Sequence, residues 1–401
     1  MVAPFLPDAE KLAAVREGLP AVGAGIYLDT PMAGPLPAET ARAMQDIESW
    51  ELGTGRAGRD RRAEAVGRID EARAAAATLL AADLDEILLA HGLDDAVARA
   101  IRTIEWQPGD RAVVVAEPGG LGLAAALPAG VEVAELPVPV GSEAIGAAVE
   151  RALRPAARLV ACPLVSAATG ARLPVEEIAA MARDRGATVL VDVTQVAGTA
   201  AVDRRALGAD LVVARSEAWM LGPEGLAVMA APADRIERAA PPGDPVRGVG
   251  SGHVNASGKP DGPIGFHLPS VVGFGRSCGW LSMYVGLSWI EARARQLARD
   301  AASRLAAIPG VEVLTPTESA GCIVVFRVAG WPSESVLDEL GARIFLLASS
   351  VADLDAVRIG TGFFNTETEI DRLVEGVGLI AAHRPGTLPP RRSLAILGEA
   401  P

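Results

Sequence analysis

Lysine is nearly missing from this chain. Of its 37 basic residues only Lys11 and Lys259 are lysines, so almost no amine is available to attack an aldehyde. Arginine cannot substitute, because its guanidinium stays protonated and is a poor nucleophile. Cysteine is scarce too. Cys162, Cys278 and Cys322 are odd in number and widely spaced, which fits a reducing compartment and neither a disulfide frame nor a zinc site. No run of about 18 uncharged apolar residues occurs, the length a membrane-spanning helix needs. The opening MVAPFLPDAEKLAAVREGLP lacks a charged n-region and a continuous apolar segment, so no signal peptide is expected. Cationic charge is in deficit: the net charge of −13 argues against nucleic-acid backbones and anionic membranes as partners. The expectation is a cytoplasmic protein whose partner is a small-molecule ligand.

What is there is a folded chain. With 50% hydrophobic and 22% charged residues over a length of 401, it exceeds one ordinary core and suggests a large and a small lobe. The stretch from Thr188 to Ala231 organises the reading. Its runs TVLVD, DLVVA and LAVMAA, separated by Gly-bounded turns, predict neighbouring strands of a buried sheet. Asp192 closes the first run. A carboxylate at the carboxyl end of such a strand points into the crevice where ligands bind, and Gln195 can donate and accept from the same rim.

The spacing of Asp192, Gln195, Gly198, Asp203, Gly208, Asp210, Trp219, Gly222, Pro223 and Gly225 resembles the class V aminotransferase family. These are fold-type-I enzymes that use pyridoxal phosphate (PLP), and they include cysteine desulfurases, kynureninases and C–S lyases. IYLDTPMAGPLP (Ile26 to Pro37), the loop with Ser166, Thr169 and Gly170, and VRIGTGFFNTETEIDRLV near the C-terminus resemble the same family. The resemblance runs from Ile26 to Ala382. It implies an α/β PLP-transferase fold: a large domain with a mostly parallel, seven-stranded-type sheet flanked by helices, and a small C-terminal α+β domain. The implied division is residues 26–284 for the large domain, 1–25 with 285–385 for the small one, and 386–401 for an extended tail. A homodimer is implied as well.

The resemblance also assigns roles. Asp192 would pair with the PLP pyridine nitrogen, Gln195 would contact its phenolic oxygen, and Arg358 would take a substrate carboxylate in bidentate fashion. Gly92, Asp94 and Arg215 fall at further cofactor-binding positions. The Schiff-base lysine before the Trp is replaced by Ala218, within Arg215, Ser216, Glu217, Ala218, Trp219. The turn at Gly92 opens a helix whose N-terminus would suit a phosphate, but Leu93 and Asp94 stand where the family has Thr. A carboxylate about 4 Å from a phosphate is repelled by roughly 4 kcal/mol at an effective dielectric near 20, on the order of a thousandfold in binding. Alternatively, Asp94 or Asp95 caps its own helix. Glu117, Pro118, Gly119 and Gly120 stand where a ring should stack on PLP, and none offers a ring face.

An engineered Lys→Ala trap would keep those neighbours, so natural divergence accounts better for Ala218. The function expected is a homologue without Schiff-base chemistry that binds a carboxylate-bearing molecule at Asp192, Gln195 and Arg358 or regulates an active paralogue. One alternative retains PLP-dependent amino-acid chemistry, with PLP held noncovalently or through Lys259. No Cys precedes Arg358 where desulfurases keep one, which disfavours sulfane transfer.

Two other motifs compete. Gly275-Arg276-Ser277-Cys278-Gly279 matches a nucleophile elbow after the strand-like SVVGF, with Asp353 or Asp355 and His383 in serine-hydrolase order. Gly120, Gly122 and Ala125 imitate a dinucleotide fingerprint, with Glu132 or Glu135 downstream. The remaining reading is coarse. It places a helix over Ala38–Leu52, a loop over Gly53–Arg62, a helix from Ala63 to about Leu80, a strand over Glu86–Ala90, and a Gly/Pro-rich loop from Pro232 to Ser270. Thr366 and Glu369 predict a capping box for the last helix.

Overall fold

The computed structural model describes residues 6–117, 120–138, 143–240, 265–317 and 321–391. Lys259, Pro118, Gly119 and the tail beyond 391 lie outside the described residues.

A two-residue strand, β1 (Ile26–Tyr27), precedes the strands of the main sheet. These are β2 (Ile87–Ala90), β3 (Arg111–Ala116), β4 (Glu132–Pro137), β5 (Leu159–Pro163), β6 (Thr188–Asp192), β7 (Leu211–Arg215) and β8 (Ala227–Ala230). They form a seven-stranded sheet in the order β2-β8-β7-β6-β5-β3-β4, parallel except that β8 runs against both its neighbours. The three runs read from the sequence as neighbouring strands are β6, β7 and β8, side by side.

Their near-continuous apolar character follows from burial on both faces. Val189 and Val191 of β6, with Val212 and Ala214 of β7, enter one core. Leu190, Leu211 and Val213, on the alternate positions, enter the core on the other face, as the two-residue period of a strand requires.

A second, antiparallel sheet has the order β12-β13-β10-β9, from β9 (Val311–Val313), β10 (Ile323–Val328), β12 (Ser349–Val351) and β13 (Ala356–Gly360). β11 (Leu346–Leu347) pairs in parallel with β1. The helix Leu287–Ala306 joins the two bodies: Ile290 belongs to the core of the large sheet, while Leu297, Ala301 and Leu305 belong to that of the small one. The capping box forms as expected. Glu369 N–H donates to Thr366 Oγ1 and Thr366 N–H to Glu369 Oε2, both at 3.1 Å, opening the helix Glu367–Ala381.

Several expectations are corrected. The loop over Gly53–Arg62 shrinks to a short link, because one helix runs to Thr54 and the next starts at Arg59. Gly55 and Gly58, with φ of 77° and 100°, make that tight link possible, and Glu51 ties the two helices through Arg56 and Arg61. The strand expected from SVVGF is part of a helix, Leu268–Gly279. Val271, Phe274 and Cys278 fall three and four apart and are all fully buried, so helical packing overrides the β-branched local preference.

That correction removes the nucleophile elbow. Ser277 sits inside the helix, fully buried. Its hydroxyl donates to the Leu221 carbonyl at 2.8 Å and lies 2.7 Å from Thr40 Oγ1. Asp355 accepts from Ser333, and His383 Nδ1 lies 2.8 Å from the Leu379 carbonyl, so neither addresses Ser277. The dinucleotide fingerprint fails too. Only the four-residue helix Leu123–Ala126 follows Gly122, and Glu132 pairs with Arg111 at 3.0 Å.

Candidate functional site: a carboxylate-lined crevice

The strand order reverses direction between β3 and β5: β4 adds outside β3, and the chain then returns to lay β5 on the other side. Such a reversal opens a crevice at the carboxyl ends of the strands. Glu117 follows β3, Ser166 follows β5, Asp192 closes β6 and Arg215 closes β7. The small sheet covers this edge with Arg358 from β13, and the segment after β1 adds Asp29.

Glu117 is fastened in place. One carboxylate oxygen accepts from the Ser166 hydroxyl and the other from the Ala167 N–H at 3.1 Å. Ser166 Oγ in turn accepts the Thr169 N–H at 3.0 Å. Burial pushes the Glu117 carboxyl above its ordinary range; the Ser166 and Ala167 hydrogen bonds oppose this, while Asp192 adds to it. Asp192 accepts the Thr194 N–H at 2.8 Å. Burial raises its carboxyl as well, against the hydrogen bonds of Thr194 and the charge of Arg215.

Arg358 is 7% exposed. Its Nε and Nη2 donate to Ser349 Oγ at 3.2 and 2.8 Å, and its Nη1 donates to the Ala167 carbonyl at 3.1 Å. A guanidinium has five N–H groups, so one on each terminal nitrogen stays unengaged by the described residues. That pair is the fork that grips a carboxylate bidentately.

Gln195 differs from the expectation of a rim residue. It is buried, its Oε1 accepts from Trp219 Nε1 at 2.8 Å, and its Nε2 donates to the Pro31 carbonyl at 3.1 Å. One N–H is left to face anything else. Ala218 is fully buried in an apolar cluster with Val165, Trp219, Ala294 and Ile323. Ser216 is also fully buried and turns its hydroxyl to the Pro223 carbonyl. Gly198 fits under this segment because it has no side chain. Its φ is 100°, and a Cβ there would stand 2.2 Å from the Trp219 carbonyl oxygen.

At the other candidate anion position Gly92 has φ of 78° and starts the helix Gly92–Arg102. The N–H of His91, the N-cap residue, donates to Asp95 Oδ2 at 3.0 Å, while the His91 side chain makes no capping hydrogen bond. Asp94 reaches toward Gly122, its Oδ1 lying 3.0 Å from where a Cβ on that glycine would stand.

Sequence reasoning missed three residues. Asp29 follows β1, which pairs outside the main sheet, so the strand-end rule that found Asp192 does not reach it. Burial raises its carboxyl, with Ser349 and Arg358 opposing. Glu217, beside Ala218, lies 3.9 Å from Arg215 Nε; burial raises its carboxyl too. Ser349 orients Arg358 and carries no sequence signal. Asp29 Oδ1, Glu217 Oε2 and Arg215 Nε are buried atoms without a hydrogen-bond partner among the described residues. Among the described residues no group of His, Cys, Asp and Glu is placed to hold a metal ion, and no helix is long and apolar enough to cross a membrane.

The model of the family described as Aminotransferase class-V matches residues 26–373. A probable cysteine desulfurase of Methanothermobacter thermautotrophicus is 26% identical over 92% of this chain and 97% of its own length. An isopenicillin N epimerase of Streptomyces clavuligerus is 29% identical over 58% of this chain, which spans 63% of that protein. Among solved structures, a lysine-to-alanine mutant of C-DES with glycine covalently linked to the PLP cofactor superposes with a TM-score of 0.79 at 20% identity, covering 90% of this chain and 98% of that one. The apo cysteine desulfurase of Thermococcus onnurineus NA1 gives 0.75 at 20% identity, covering 92% and 98%. These likenesses establish the fold.

Proposed function

The chain belongs to the class V aminotransferase family, and we propose that it uses this scaffold with a degenerate cofactor site, as a noncatalytic binder of a carboxylate-bearing small molecule. The observation that carries the reading is Glu117, whose carboxylate is clamped by Ser166 and Ala167 at the head of the crevice, beside Asp192.

The residues present do not suit PLP. Ala218 has no amine, Glu117 has no ring face, and Asp94 sets a carboxylate in the first turn of the helix whose N-terminus would suit an anion. Ser216, whose hydroxyl is committed to Pro223, has nothing to offer in compensation. The C-DES mutant carries its PLP linked to glycine, so loss of one lysine would not by itself exclude the coenzyme; the added carboxylates do. That mutant is also the observation that favours the second reading, PLP-dependent chemistry without a covalent anchor, which requires a coenzyme absorbance band from the purified protein. We further take the protein to be a homodimer, as the family resemblance implies, and cytoplasmic, as its three widely spaced cysteines fit.

The ligand's carboxylate sits in the free fork of Arg358. Calorimetric titration with L-norleucine, a carboxylate-bearing probe, tests this. Saturable binding should weaken by roughly tenfold or more in Arg358→Gln, which loses the bidentate charge-assisted contact. Equal binding by both proteins would refute it.

A further inference from the structure

Arg358 stands on one face of the small sheet, and that face runs outward to the surface. Its register partner on β12 is Ser349, whose hydroxyl oxygen takes Arg358 Nη2 and Nε at 2.8 and 3.2 Å. Side chains alternate along a strand. Leu346 and Ala348 pack with the core of the small sheet, so Phe345, Leu347, Ser349 and Val351 share the opposite face. At the inner end of this row Val351 joins the apolar cluster that holds Ala218. At the outer end Leu347 and Phe345 stand 48% and 51% exposed. One row thus leads from the Ala218 cluster, past the guanidinium, to two apolar side chains at the surface.

Phe345 is strained where it stands. It ends the helix Ser333–Ile344 with φ of 56°, the left-handed conformation in which helices usually place glycine because a side chain crowds the backbone there. A bulky residue in that conformation is an outlier that something must justify. Burial does not, since half of the residue stays exposed. Its flank is open as well: the residue beside it on the β1 side is Gly25, where an added Cβ would stand 3.5 Å from Phe345 Cβ.

Two apolar side chains held in line with a cationic fork match a molecule that is anionic at one end and apolar along its length. We propose that the ligand is a carboxylic acid of the medium-chain fatty-acid class, with its carboxylate on Arg358 and its chain laid over Leu347 and Phe345. Residues two apart in a strand are separated by about 6.6 Å, so Phe345 lies roughly 13 Å along the row from Ser349, within reach of an extended acyl chain. This rests on the carboxylate reading at Arg358. No bond is made or broken.

Octanoate, butanoate and octanol are the probes, titrated calorimetrically. Octanoate should bind at least roughly tenfold more tightly than butanoate, because each methylene withdrawn from water contributes up to about fourfold. Phe345→Gly removes the ring and the strain together, so the chain should still fold, and it should cut that ratio by roughly threefold or more. Leu347→Ser should cut it likewise. A ratio near one, with both acids still weakened by Arg358→Gln, overturns the proposal and leaves the carboxylate reading standing. A large ratio that neither F345G nor L347S changes does the same; if F345G then also sediments as a smaller assembly, the patch belongs to a second copy of the chain. Octanol binding as tightly as octanoate, with R358Q without effect, removes both readings, as does binding of no probe.

Discussion

Glu117 and Arg358 hold the two ends of one residue. Glu117 Oε2 accepts the Ala167 N–H at 3.1 Å, and Arg358 Nη1 donates to the Ala167 carbonyl at 3.1 Å. The turn after β5 thus sets a carboxylate from the large sheet against a guanidinium from the small one, with a single residue between them. Three elements distant in sequence meet at that point, and the local chemistry depends on all three.

Ser166 should matter through Glu117. Ser166→Ala removes the donor to one oxygen of a buried carboxylate, and an unsatisfied group of that kind costs about 1–3 kcal/mol. The urea midpoint should fall accordingly. In the E117Q background the same substitution should cost less, since partners in one hydrogen-bonded pair are not additive. Equal costs in both backgrounds would separate the two residues energetically.

The pH dependence of stability carries a definite sign. Burial first, and Asp192 second, raise the Glu117 carboxyl above its ordinary value, so the folded state holds this proton more tightly than the unfolded chain does. Its stabilising contribution is therefore complete below the usual glutamate value of about 4.3 and is lost as pH rises through the folded value. E117Q does not titrate there. The stability of the wild-type chain relative to E117Q should decline from pH 4 to pH 8, measured by urea unfolding across that range. A flat difference would mean that the carboxyl is not raised.

Gly198 and Gly225 offer a paired test of the packing beneath Ala218. Both have positive φ, but a Cβ on Gly198 would meet the Trp219 carbonyl at 2.2 Å, whereas one on Gly225 meets nothing within 4 Å. Gly225→Ala should cost only backbone strain, about 1–2 kcal/mol. Gly198→Ala should cost more than about 3 kcal/mol or abolish soluble expression, because backbone must move as well. Similar losses at both sites would contradict the close approach.

Much of this was legible beforehand where the signal is local. The runs that became β6, β7 and β8 announce themselves by uninterrupted apolar character, and Thr366 with Glu369 announces a helix start by side-chain chemistry alone. Misreadings arose where tertiary packing decides. SVVGF has the local preference of a strand, yet its Val271 and Phe274 are claimed by a helical face. Gln195 reads as a rim residue until Trp219, 24 positions on, and Pro31, 164 positions back, are seen to engage its amide. Glu117 registered only as a missing ring. Its tie to Ser166, 49 residues away, depends on how β3 and β5 lie together, which no short window contains.

The most direct measurement is coenzyme retention. The purified chain, equilibrated with excess pyridoxal phosphate and then dialysed, should keep none of it and show no aldimine-type absorbance, the outcome that the proposed loss of the amine at Ala218 and of the stacking ring at Glu117 requires. Stoichiometric retention with such a band, abolished by Asp192→Ala, would contradict the account.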